Sequence, residues 1–167
     1  MTGRGAPKTG WQLYVHPAFG KPFDALTGEV ERLAAADPKG YVEHPKAKLL
    51  KRIVDLIESE IPRDPSAAEY ALGNTLGPAH RHWRRAKFLG RFRLFFRYNS
   101  QARVIIYAWV NDENTLRKAG GRNDPYTVFG ALLRKANPPD GWDVLMKEAK
   151  AHKRSGVRAG RLRVVGP

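Results

Sequence analysis

The sequence predicts an α+β fold in a single domain, and three observations carry that prediction. A chain of 167 residues is the usual length for one domain with a core of its own. Toward both ends, apolar residues recur at spacings of three and four, the period of amphipathic helices. Between Tyr70 and Asn111 they recur every second residue instead, in short runs separated by turn formers, which is the pattern of strands.

In chain order, "WQLYVH" alternates Trp11, Leu13 and Val15, a short strand ended by His16-Pro17. Phe19, Phe23, Leu26, Val30 and Leu33 form the stripe of a first helix that stops near "AAADPKG". A second stripe starts at Leu49 or Leu50, runs through Ile53 and Leu56 or Ile57 to Ile61, and is closed by Pro62. Four strands then read as "YALGNTL", "HWRRAKFL", "RFRLFFRY" and "RVIIYAWVN". Asp124-Pro125 supplies a cap and first residue for a helix carrying Phe129, Leu132 and Leu133, and "NPPDGW" opens a last helix through Leu145 and Met146. Residues 1–9 read as a flexible N-terminus, 10–149 as the folded domain and 150–167 as a mobile basic tail.

The net charge of +14 is concentrated. Tyr70 to Asn111 holds eight basic residues and no acid, Ala149 to the end holds six and none, and the two remaining stretches balance ten against ten and six against six. A neutral body with two basic blocks suits a polyanion, and nucleic acid fits better than a membrane because no basic amphipathic helix with an exposed apolar face stands out. No run approaches a membrane span, and no export signal is recognisable, so a soluble cytoplasmic protein is expected. Without cysteine, neither disulfides, nor thiolate metal sites, nor a cysteine nucleophile are available.

"RHWRRAKFLGRFRLFFRY" combines both features, and its register follows from burial. A three-residue loop at Leu89, Gly90 and Arg91 pairs Phe88 with Phe92, Ala86 with Leu94 and Lys87 with Arg93. Phe88, Phe92, Leu94, Phe96 and Tyr98 then share a core face, and Arg85, Lys87, Arg91, Arg93 and Arg97 share the other; a two-residue loop would mix the sets. An unopposed cation array of this kind suits a phosphate backbone. Arg84, Arg91, Arg97 and His82 are candidate RNA contacts, and Trp83, which shares the cationic face with Arg85, is a candidate stacking platform. His80 and His82 offer an acid and base pair, though a polar lead-in to the strand is the commoner meaning of "HRH". Asp112-Glu113 is the one acidic pair near the basic sheet, and adjacent strand residues point apart, so a two-metal nuclease site is disfavoured and no metal or cofactor is expected. RNA cleavage without metal requires a base, an acid and fixed cations on the phosphate oxygens.

At "GWQLYVHPAF", "GNTLG", "HWRRAKFLGRFRLFFRY", "YAWVNDENTLRKAGGRNDPYTVF" and "NPPDGW" the sequence resembles the YhaV toxins of bacterial type II toxin-antitoxin systems, within the RelE-like ribonuclease superfamily. The resemblance spans roughly Gly10 to Ala149. It implies a RelE-like α+β fold with a curved, mainly antiparallel sheet packed by helices. It further implies metal-independent cleavage of mRNA, free or ribosome-bound, and a cognate antitoxin resembling PrlF, a swapped-hairpin DNA-binding protein that would link the chain to operator DNA. By position it assigns Arg85, Lys87 and Arg93 to the catalytic strands, with Arg117 and Tyr126 as further candidates. The longer "NDENTLRKAGGRND" connection puts the reach of those two in question and brings in Glu113 as a base, so the base stays open between Glu113, Tyr126 and Lys87. A non-catalytic RNA- or ribosome-binding module is the alternative.

Overall fold

The computed structural model describes residues 10–152, and the expected N-terminal segment and most of the expected tail lie outside them. Four strands form one mixed sheet in the order β1-β4-β3-β2, where β1 is Gln12–Val15, β2 Arg84–Phe88, β3 Phe92–Asn99 and β4 Val104–Val110. β1 runs parallel to β4 and the other two pairings are antiparallel, so the expectation of a mainly antiparallel sheet holds. The β2–β3 hairpin has the register argued from burial: Phe88 pairs with Phe92, Ala86 with Leu94 and Lys87 with Arg93.

Helices cover both faces. On one face lie α1 (Pro17–Ala36) and α2 (Pro45–Asp55), the latter continued by a π turn at Leu56–Glu60 and the short α3 (Ile61–Arg63). Phe19, Phe23, Leu50, Ile53, Ile57 and Ile61 meet Leu13, Val15, Leu94, Phe96, Ile105 and Tyr107 of the sheet there. On the other face α4 (Pro125–Arg134) and α5 (Trp142–His152) enclose Trp83, Phe95, Ile106, Ala108, Phe129 and Leu145. The second face is therefore not the open cationic surface expected from alternation alone: Phe95 lies between Arg93 and Arg97 in sequence and stacks on Phe129 with ring centres 4.2 Å apart.

A bulge explains how two cores fit one sheet. Phe95 pairs with Trp109 and Phe96 with Tyr107, so Ala108 is the extra residue on β4. Tyr107 packs in the first core, whereas Ala108 and Trp109 both pack in the second.

Three helices start alike, with an acceptor side chain followed by proline. His16 Nδ1 accepts the Ala18 N–H at 3.0 Å, His44 Nδ1 the Lys46 N–H at 3.1 Å, and Asp124 Oδ2 the Tyr126 N–H at 3.0 Å. Hence α2 begins at Pro45, four residues before its apolar stripe. "YALGNTL" is not a strand: Ala68–Tyr70 is a 3-10 turn, and among the described residues its ladder pairing with β2 is a single bridge from Ala71 to Arg84. Gly73 (φ 66°) and Gly77 (φ 92°) turn the backbone too tightly there for an extended run. At the other end α5 continues to His152, past the expected start of the tail.

Candidate active site

The residues after β4 fold back on the hairpin loop. Asn111, buried, takes the Arg93 backbone N–H on Oδ1 at 2.7 Å and donates from Nδ2 to the Arg91 and Thr115 carbonyls at 3.1 and 2.7 Å. The Arg117 N–H donates to the Arg91 carbonyl at 2.9 Å, and Arg91 Nε returns a bond to the Arg117 carbonyl at 3.1 Å. This lacing removes the slack of the long connection and brings Arg117 to the end of the hairpin.

Arg93, only 7% exposed, donates from Nε to the Tyr126 hydroxyl at 3.2 Å and from Nη1 to the Gly90 and Phe92 carbonyls at 3.0 and 2.8 Å. Arg117 lies over the Tyr126 ring at 4.8 Å and donates from Nη1 to Asp124 Oδ1 at 2.7 Å. The structure thus brings Arg93, Arg117 and Tyr126 together, although sequence spacing made that reach doubtful. Asp124, which sequence reasoning read only as a cap, holds the group in place: besides Arg117 and the Tyr126 N–H it accepts the Lys118 N–H at 2.7 Å. Burial by itself raises its pKa, but these hydrogen bonds outweigh burial and hold the carboxyl below the usual range. Lys87 lies directly across the ladder from Arg93 and is exposed, as is Arg91 at the loop.

Other expected site residues have structural work. Arg85 shares the Lys87 and Arg93 face but is 8% exposed and donates to the Glu69 and Ala71 carbonyls at 3.2 and 3.3 Å. Arg84 donates to the Ser66 and Ala67 carbonyls at 3.2 and 2.7 Å, so the two together clamp the 66–71 turn to β2. Arg97 donates to the Asp140 carbonyl at 2.7 Å between the Trp83 and Trp142 rings. Trp83 is fully buried and donates its indole N–H to Asp140 Oδ1 at 2.8 Å, which corrects its reading as a stacking platform. His80 and His82 precede β2 in turns, not on a strand face, and both approach Asp140. Glu113 stands 3.5 Å from Lys46 Nζ and lines the groove between α1, α2 and the sheet, in the company of Leu26, Leu49 and Phe92, rather than the Arg93 cluster.

The geometry, a fixed guanidinium and a second half-exposed one beside a phenol with a lysine across the strand, can hold a phosphodiester and exchange protons with it. Residues 13–150 match the Toxin_YhaV family, described as a toxin with endonuclease activity of a toxin-antitoxin system. The chain is 44% identical over 143 residues to the ribonuclease toxin YhaV of Escherichia coli K12, covering 84% of this chain and 93% of that one, and equally so to the toxin YhaV of Escherichia coli O157:H7. No solved structure matches the chain significantly. Over a match of that extent, taking in every strand from Leu13 onward and the whole Arg93, Arg117 and Tyr126 cluster, the chain belongs to the YhaV family of toxins.

Proposed function

We propose that the protein is an endoribonuclease toxin that cuts mRNA in the cytoplasm by attack of a ribose 2'-OH on the adjacent phosphorus, without a metal, giving a 2',3'-cyclic phosphate and a free 5'-OH. The observation that supports this reading is the Arg93, Tyr126, Arg117 and Asp124 chain of contacts, which fixes two cations and a phenol against one another beside exposed Lys87. Arg93 is held in place by three acceptors before any substrate arrives, so it adds charge stabilisation at the phosphorane without a reorganisation cost. Because the Tyr126 hydroxyl accepts from Arg93, its own proton is free to be given to the leaving 5'-oxygen; exposed Lys87 on the neighbouring strand, as an uncharged amine, takes the proton of the attacking 2'-OH. Arg85 then acts through the fold of β2 rather than on the phosphate.

The decisive assay incubates the protein with RNA, with and without ribosomes, in excess EDTA. Cleavage with cyclic phosphate ends is expected. Retention of RNA without cleavage would mean a binding module, and cleavage that EDTA abolishes while the circular dichroism spectrum is unchanged would mean a metal nuclease. The family's toxin-antitoxin description supports a neutralising partner. We take it to be a PrlF-like antitoxin whose acidic segment covers Lys87, Arg91 and Arg117, carrying the complex to operator DNA through its own DNA-binding part.

A further inference from the structure

At the other end of β3 a second group of reactive side chains meets. His80 Nδ1 and His82 Nε2 stand 3.0 and 2.9 Å from one atom, Asp140 Oδ1, and the ligand atoms of the three residues all lie within 4.8 Å of one another. The Trp83 indole N–H donates to the same oxygen at 2.8 Å. Three donors on one carboxylate oxygen exceed its two lone pairs. A cation in place of the two imidazole protons resolves the crowding: both ring nitrogens turn a lone pair to the ion, and Oδ1 gives it one lone pair while keeping the other for the indole. An outer hydrogen bond of that kind is what orients a metal-bound carboxylate.

We propose that His80, His82 and Asp140 form a binding site for a divalent transition-metal ion of the zinc class, with water completing its coordination. Two imidazoles and a carboxylate are zinc-type donors, whereas calcium and magnesium demand more oxygen. Ligand atoms about 2.0–2.1 Å from a tetrahedral zinc lie about 3.3 Å apart, so each nitrogen has to draw back from Oδ1 by a few tenths of an ångström, while the two half-exposed imidazoles, within 4.8 Å of one another, turn to the same spacing. The side chains are 30%, 35% and 40% exposed, which gives the ion a way in and room for water. The framework is prepared: Arg97 fixes the Asp140 carbonyl, and Trp83 anchors His82 from the core. The ion would fasten the approach to β2 onto the turn between α4 and α5, linking residues 58 and 60 positions apart. Arg93 is four residues from Arg97 along β3, about 13 Å of extended chain, so the ion stabilises the fold and does not touch the phosphate.

Tag-free protein stripped with EDTA and exchanged into chelator-free buffer is titrated with zinc chloride by calorimetry and melted with and without zinc. One ion per chain and a rise in Tm are expected, weakening as pH falls below the ordinary imidazole range because protons compete for the ring nitrogens. His82→Asn and Asp140→Asn, the second of which keeps an acceptor for Trp83, each lower the affinity at least tenfold. His44→Asn, outside the trio, leaves it unchanged. X-ray absorption of the zinc-loaded parent requires no variant and is expected to show two imidazoles in the first shell. Absence of saturable binding, binding that survives both variants, or a first shell without two imidazoles would each overturn the site.

Discussion

Asp124 takes three hydrogen bonds on one carboxylate: from the Arg117 guanidinium, from the Lys118 N–H and from the Tyr126 N–H at the start of α4. Asp124→Asn keeps the cap but loses the charge that holds Arg117. Cleavage is expected to fall through kcat while the protein loses only about 1 kcal/mol of stability, measured by single-turnover rates beside a urea melt. Arg93→Ala is the sharper test. Removing a preorganised charge contact costs about a hundredfold or more in rate, so growth inhibition and RNA cleavage should vanish with the circular dichroism spectrum intact. A folded Arg93→Ala that still cleaves at the parental rate would refute the assignment. Tyr126→Phe separates proton transfer from packing, since the ring still lies under Arg117 and against Phe95 while the hydroxyl is gone; loss of rate with unchanged stability assigns the hydroxyl a chemical role.

At the scale of elements, α1 and α2 depend on imidazoles that are neutral at Nδ1. His16 is buried, and burial lowers its pKa against the opposing pull of Glu148, which accepts from its Nε2 at 2.7 Å. The unfolded chain therefore binds the proton more readily than the fold does. Stability from this group is complete above about pH 6.5 and is lost as pH falls through the lower folded value. Urea midpoints read between pH 8 and pH 5 should decline with that sign, and His16→Asn, which caps without titrating, should flatten the decline. The hairpin was legible in the sequence because apolar burial fixes its register. Asp124 was legible as a cap, but the two histidine caps were not, since His-Pro also ends a strand and histidine is not a usual cap. Nor was the second core: Phe95 alternates with arginines, and only the helices arriving from 125–152 show that its face is covered. The Arg117 reach was illegible for a similar reason, because Asn111 and the Arg91 backbone shorten a loop whose length is all the sequence displays.

For the whole molecule, the +14 charge divides into fixed and positional parts. Arg84, Arg85 and Arg97 are committed to carbonyls, whereas the phosphate contacts proposed above fall to Lys87, Arg91 and Arg117 at the hairpin end. RNA affinity should fall steeply with salt, and Arg91→Ala should reduce the slope of log K against log salt by about 0.7 while sparing cleavage at saturating RNA. A slope unchanged by that variant would place the RNA elsewhere. The bulge at Ala108 bears on how such a chain tolerates change in length. Upstream of it, β4 alternates between the cores in one phase; downstream, in the other, with Ala108 and Trp109 as the consecutive pair on one side. Loss of a single residue from β4 ahead of that pair inverts the side chains on one side of the gap and sets them against the wrong core. Loss of either member of the pair restores strict alternation, but Trp109 packs on Phe95 and Phe129, so the small Ala108 is the seam where a deletion leaves each remaining side chain facing its own core and can be inherited.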